Sequence, residues 1–371
     1  MVARDIRFAP DPGLRNPIAG DRLRPRRTSS AFLPERSRVY HTLILLPFTS
    51  IKPNAPMLRL AFLFAVFTAL LAMPATAQSP DVEPLPHYPE HALETVVVEN
   101  DTLAYLDTGG DGPPLVLVHG LGSNLSLWSA HIEPLAETHR VLALDLPGFG
   151  VSSKHNVSGR MTDFAASVRG FVEALDLAPV TYVGVSMGGQ IGLTLALEAT
   201  DTIERLVLVS PAGIETFTDG QAEALRQTMT PQAIARADSS AIRQNTAANF
   251  ADWSDDYAWL VEQRHALSER DDFMAYARAN AASVAGMVDE PVYNRLGDVE
   301  QPTLVLYGTG DKLIPNPYLN PQWDTEAIAR RAEEALPNAD VHLVDNAGHL
   351  LMIEQPEVFR EHVRAFLEMQ E

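Results

Sequence analysis

The chain has 371 residues, 46% of them hydrophobic, no cysteine and a formal net charge of −20. Its length suits one large α/β domain or two small ones, and the missing cysteine excludes a disulfide framework, thiol catalysis and thiolate-bound metal. Residues 1–77 hold eleven Lys and Arg against four Asp and Glu, so residues 78–371 carry 17 bases and 44 acids, a net −27 that repels nucleic acid and anionic membrane surfaces.

Met57-Leu58-Arg59 is a positive start, Leu60 to Met73 an apolar run, and Pro74-Ala75-Thr76-Ala77-Gln78 a small-x-small ending. This pattern predicts a secretory signal peptide over 57–77, cleaved after Ala77. The apolar run is shorter than the roughly 20 residues needed to cross a bilayer. A signal anchor or a buried helix is the competing reading; a lipoprotein anchor is excluded, because no cysteine follows the run. Residues 1–56 are rich in Arg and Pro, as in Arg22-Leu23-Arg24-Pro25-Arg26-Arg27, and show no sustained periodicity. A signal peptide works from near an N-terminus, so translation is expected to begin at Met57, leaving 1–56 as an over-extended reading frame. A disordered basic arm is the alternative. The expected product is residues 78–371, exported to a periplasm or secreted, without a stable membrane span.

Strands and helices then alternate, the pattern of a mostly parallel sheet covered on both faces. Leu93 to Val98 and Thr102 to Leu106 predict an opening hairpin around Asn100-Asp101. Leu115-Val116-Leu117-Val118 is apolar throughout, as a central strand buried on both sides requires, and leads into His119-Gly120-Leu121-Gly122. A helix is predicted near Leu125 to Glu137, then a strand from Val141 to Leu144 ending in Asp145-Leu146-Pro147-Gly148-Phe149-Gly150. Phe164, Val168, Phe171, Val172 and Leu175 form a helical stripe. Val180-Thr181-Tyr182-Val183 is the next strand, followed by a helix from Met187 to Ala199 and a strand from Leu206 to Val209. From about 212 to 298 the text is helical, with no strand-like run. Strands resume at Thr303 to Tyr307 and Val341 to Val344, with helices at Thr325 to Leu336 and Glu357 to Met369. The helical block follows the sixth of eight strands, and it reads as a cap over the carboxyl edge, where open α/β sheets bind ligands.

Gly184-Val185-Ser186-Met187-Gly188 follows the fifth strand directly. A serine in such a strand-to-helix elbow is exposed on a sharp turn, and glycines flank it because a Cβ would clash with the close backbone. Serine is a poor nucleophile until a base takes its proton. His349, in the loop after the last strand, suits that role because imidazole titrates near neutrality. Asp311, in Gly308-Thr309-Gly310-Asp311 after the seventh strand, is the favoured partner to orient the imidazole; Asp298 and Asp345 are rivals. The order Ser, Asp, His differs from that of the serine proteases. Met187, at the start of a helix, and Leu121, after the third strand, are the expected backbone donors to an oxyanion. His119 reads as a brace for its loop. The run from Asp145 to Gly150 lacks the lysine of a phosphate loop and reads as a turn at the site's rim. No metal-ligand spacing appears, so neither metal nor cofactor is expected.

These motifs resemble the capped α/β-hydrolase family, from about residue 92 to the end. The signatures are His119-Gly120, Asp145-x-Pro147-Gly148-x-Gly150-x-Ser152, the Ser186 elbow, Gly308-Thr309-Gly310-Asp311 with Pro315, and Gly348-His349 followed by Glu354-x-Pro356. The resemblance implies a serine hydrolase cleaving carboxylic esters of small to medium acyl chains through an acyl-enzyme, its partner a small-molecule ester or acyl substrate. Dehalogenase and epoxide-hydrolase relatives place Asp at the elbow. A carbon–carbon bond hydrolase of ring-cleavage products is the runner-up, on Ser186-Met187-Gly188-Gly189 and Ser210-Pro211-Ala212-Gly213. Against it stand the expected export and the lack of a basic residue beside the elbow. Aminopeptidase and perhydrolase activities stay open, as does a binding protein whose chemistry has been lost. Trp128 and the aromatic and thioether side chains of the insertion (Met229, Phe250, Trp253, Trp259, Phe273 and Met287) are candidates to line an apolar pocket, the alternative being the cap's own core.

Overall fold

The computed structural model describes residues 83–155 and 157–369, so the expected signal peptide at 57–77 and the extension at 1–56 lie outside the described residues. The strands are β1 (Glu94–Val98), β2 (Asp101–Asp107), β3 (Pro114–Val118), β4 (Arg140–Leu144), β5 (Val180–Val185), β6 (Ile203–Val209), β7 (Thr303–Gly308) and β8 (Ala339–Val344). The helices in chain order are α1 (Ser129–Ala136), α2 (Met161–Ala174), α3 (Met187–Glu198), α4 (Asp219–Thr228), α5 (Pro231–Ala235), α6 (Ser239–Ala247), α7 (Ala258–Ser268), α8 (Phe273–Asp289), α9 (Thr325–Ala335), α10 (Leu351–Glu354) and α11 (Pro356–Glu368). All eight strands join one sheet in the order β1-β2-β4-β3-β5-β6-β7-β8. β2 runs antiparallel to both neighbours, and the pairings from β4 to β8 are parallel, as the alternating pattern predicts.

Burial on both faces explains the uninterrupted apolar runs. Val116, Tyr182, Leu206 and Val305 face one core cluster, with Phe164 of α2, Ile191 of α3 and Ile328 of α9. Their sequence neighbours Leu117, Val183, Val207 and Leu304 face the other, with Ile132 of α1 and Phe359 of α11. Each fully buried Leu or Val contributes about 1.5–3 kcal/mol. A strand flanked this way has no polar position to spare.

The helix predicted over 125–137 is divided. A 3-10 turn at Leu125–Trp128 comes first, its start capped by Asn124 Oδ1, which accepts from Ser126 N–H at 3.0 Å. α1 follows and contains Pro134. Proline has no N–H to give the carbonyl four residues back. Arg360 of α11 supplies the missing donor, Nη1 to Ala130 O at 3.0 Å.

Between β6 and β7 the chain holds helices and turns without a strand. α8 ties this block to the helices that cover the sheet. Gln190 Nε2, from α3, donates to Met287 O and Glu290 O at 3.0 Å each, and Glu290 accepts from Thr162 N–H at the start of α2. No helix among the described residues is long and apolar enough to cross a membrane.

Candidate active site

Ser186 ends β5 and opens α3 with φ 56° and ψ −118°, a conformation that L-residues other than glycine rarely hold. Its surroundings over-determine that strain. The Ser186 N–H donates to Val209 O at 2.9 Å, and its carbonyl accepts from Gly189, Gln190 and Ala212. Two flanking glycines are required by close approach: a Cβ on Gly184 would lie 2.5 Å from Gly188 O, and one on Gly188 would lie 2.6 Å from His119 O. Although Ser186 stands at the helix N-cap, its side chain makes no capping bond, so the hydroxyl is not spent on the helix.

Asp311 and His349 meet at the same carboxyl edge, in the loops after β7 and β8. Asp311 Oδ2 and His349 Nδ1 are 2.9 Å apart, and the two side chains are 0% and 4% exposed. The other carboxylate oxygen accepts from Leu313 N–H at 2.8 Å and Ile314 N–H at 3.0 Å, which fixes the carboxylate's plane. A carboxylate only accepts, so the proton of a neutral His349 sits on Nδ1 and leaves Nε2 as the basic atom. Of the rival acids, Asp298 lies at the opposite, entry end of β7, and Asp345 makes no bond to His349 among the described residues. Ser186 Oγ itself has no hydrogen-bond partner among the described residues.

The loop after β3 lies against the elbow: a Cβ on Gly120 would be 3.2 Å from Ser186 Cβ. Among the described residues neither the Leu121 N–H nor the Met187 N–H has an acceptor, although both flank this contact. His119 is a brace. Its Nε2 accepts from Leu146 N–H at 3.1 Å, so its Nδ1 carries the proton and donates to Gly120 O at 2.8 Å. Full burial lowers its pKa to about 4, the bond to Gly120 opposing in part, and the ring stays neutral. Asp145 braces the next loop, accepting from Leu125 N–H, Val151 N–H and the Tyr88 hydroxyl at 2.7–2.8 Å. Its burial raises its pKa to about 6, against these donors and Lys154.

Further contacts join the inserted block to the loops of the site, and the sequence did not show what Glu354, Tyr276 and Asn280 would touch. Glu354 bridges the His349 loop and the inserted block: its carboxylate accepts from Gly348 N–H and, at 2.9 Å, from Ala251 N–H. Burial raises its pKa, opposed by the same amides. Tyr276 of α8 donates its hydroxyl to Gly122 O at 2.8 Å, and Asn280 one turn later packs on the same glycine. The spacing of Tyr276, Asn280 and Met287 along one helical face was the only available hint.

The apolar candidates divide. Trp128 is fully buried beside His131 and Phe359, in the core cluster of α1 and α11, which makes it a core residue and corrects its expected role as a pocket-lining side chain. Phe250 is also fully buried, stacked on Tyr257 at 4.2 Å with Trp253 edge-on at 5.9 Å, so its ring belongs to the inserted block's own packing. Trp253 and Trp259 are half-buried, Trp259 beside His87. Met229, Phe273 and Met287 are half-buried too, and the Met287 carbonyl accepts from Gln190 in the helix that starts after Ser186. A cavity of about 400 Å³ lies elsewhere, lined by Lys154, His155, Val157, Ala275, Arg278 and Ala279.

The chain is similar to known proteins. The profile of the family described as alpha/beta hydrolase fold matches residues 113–356. A dihydrolipoyllysine-residue acetyltransferase component of the acetoin cleaving system from Pseudomonas putida is 29% identical over 71% of this chain, and the match spans 66% of that protein. A 2-hydroxy-6-oxo-2,4-heptadienoate hydrolase, also from Pseudomonas putida, is 28% identical over 70% of this chain and 90% of its own length. Among solved structures, a membrane phospholipase A described as a bacterial virulence factor is 28% identical with a TM-score of 0.62, covering 84% of this chain and 97% of that one.

Proposed function

Because the chain belongs to the alpha/beta hydrolase fold family, we propose that it is a serine hydrolase cleaving carboxylic esters through an acyl-enzyme. The observation that carries this reading is the Asp311–His349 pair at the edge where Ser186 is held strained and unspent. His349 Nε2 takes the Ser186 proton as Oγ attacks the ester carbonyl. Leu121 N–H and Met187 N–H, free of other acceptors, receive the oxyanion; each such donor is worth about 3 kcal/mol in the transition state. His349 returns the proton to the departing alcohol while Asp311 steadies the imidazolium. Water, deprotonated by the same histidine, then releases the acid. The likeness to a phospholipase A supports an ester as the bond broken.

A carbon–carbon bond hydrolase is the second reading, favoured by the 28% identity to the heptadienoate hydrolase. The same triad would serve it. Export, proposed from residues 57–77, favours the ester. The test is a fluorophosphonate probe with the intact protein and with Ser186→Ala, beside rates on nitrophenyl esters of increasing chain length and a ring-cleavage dienoate. Labelling of the intact protein alone, ester turnover and a loss of about 10⁴-fold or more in kcat for Ser186→Ala are expected. Equal labelling of both proteins defeats the serine mechanism, and faster turnover of the dienoate defeats the ester assignment.

A further inference from the structure

Ser210-Pro211-Ala212-Gly213, where β6 ends, leads two residues on to Glu215, a carboxylate that the proposed reaction does not use. Glu215 is 8% exposed. Its Oε1 accepts from the Asn316 N–H at 2.9 Å and from Asn320 Nδ2 at 2.7 Å, and the same amide also donates to Thr216 O at 3.2 Å. Both donors belong to the stretch that follows Asp311 after β7. Burial raises the Glu215 pKa; Asn320 and the Asn316 N–H oppose the rise, and the charge of Asp311 adds to it. A carboxylate enclosed in this way often stabilises a fold no more than an apolar side chain of similar volume. What it supplies is direction, because two donors must converge on one oxygen.

The stretch so held is the one that presents the proposed acid. Asp311 Oδ1 accepts from Leu313 N–H and Ile314 N–H, so its carboxylate follows the backbone two and three residues further on. That backbone runs into Asn316 and Asn320, which Glu215 pins, while Lys312 is tied to Ala251 O in the inserted block. The segment that carries Glu215 is itself fixed to the elbow. Ala212 N–H donates to Ser186 O at 3.0 Å, and Ser186 N–H to Val209 O at 2.9 Å. Glu215 therefore closes a chain of bonds that runs from the Ser186 backbone to the loop of Asp311. We propose that Glu215 is a positioning residue, which sets Asp311, and through it the His349 imidazole, in register with Ser186.

This inference rests on the serine-hydrolase reading and deepens it. The experiment measures kcat and KM on a nitrophenyl ester, and the rate of fluorophosphonate labelling of Ser186, in the full chain, Glu215→Gln and Glu215→Leu. Both donors already share Oε1, so the glutamine oxygen can receive them, and Glu215→Gln should keep kcat within about 3-fold. Glu215→Leu should lose about 10-fold in kcat and in labelling rate, with KM within about 2-fold, because the acid is misplaced and the pocket is not. In an Asp311→Asn background the same Leu substitution should change labelling by less than about 2-fold, since the group it positions is already gone. If Glu215→Leu fails to fold by circular dichroism, Asn320→Ala, which removes one donor from the opposite side, replaces it with an expected loss of about 3-fold in kcat. A loss confined to KM, an equal loss in Glu215→Gln, or an undiminished loss beside Asp311→Asn overturns the role of Glu215 and leaves the hydrolase reading standing. Absence of labelling and of turnover in the intact protein overturns both.

Discussion

Asp145 shows how much chemistry a single buried carboxyl can hold without taking part in the reaction. Three donors face it, yet enclosure dominates and lifts its pKa from 3.8 to about 6. The unfolded chain releases this proton near pH 4 while the folded chain keeps it to about pH 6. Its stabilising contribution is therefore complete at low pH and is lost as the pH climbs through that window. The loss is roughly 3 kcal/mol. In Asp145→Asn the decline between pH 4 and 6.5 should be smaller by that order, measured by urea unfolding across the range. Parallel stability curves for the two proteins would contradict this. At the same level, the choice of Asp311 over Asp298 and Asp345 comes down to one 2.9 Å contact with His349.

The loop that carries His349 is short and has few internal bonds, so its place depends on what it leans on. It leans on the inserted block: Leu350 N–H donates to Asn249 O at 3.0 Å, and Glu354 gathers Gly348 and Ala251. Lys312, next to Asp311, donates to Ala251 O at 2.8 Å, so the acid's loop is held by the same segment. Glutamine at position 354 would present an N–H₂ where one of these amides needs an acceptor. Glu354→Gln should cost about 1.5–3 kcal/mol of stability, as a charge-assisted bond is lost. It should also lower kcat by about 10-fold while KM changes little, because the base is displaced and the pocket is not. Steady-state kinetics on a nitrophenyl ester decides, and a change confined to KM would show that Glu354 does not act through His349.

Residues 78–371 carry a net −27 on a sheet core that is apolar on both faces, so the acids crowd the surface and repel one another. Molar salt shortens the range of that repulsion to about 3 Å. If screening relieves about 1–2 kcal/mol, Tm should rise by about 2–8 °C between 0.1 M and 1 M NaCl, read by calorimetry. A flat response would show that this repulsion does not limit stability.

Eight strands, the block of helices after the sixth, and the positions of Ser186, Asp311 and His349 could be read from the chain because each is a local pattern. A strand buried on both sides must be apolar throughout, and an elbow at positive φ demands small neighbours such as Gly184 and Gly188. Trp128 and Phe250 looked like pocket residues until their rings were found packed against Phe359 and Tyr257, partners 231 and 7 positions away. The same holds for Glu354 beneath Ala251, Arg360 at the carbonyl that Pro134 leaves open, and Tyr276 and Asn280 on Gly122. Periodicity says which side of an element is buried, and only packing says against what. For that reason the candidate site residues could be placed one by one from the chain, while only the tertiary structure decided which helix came to rest on which loop.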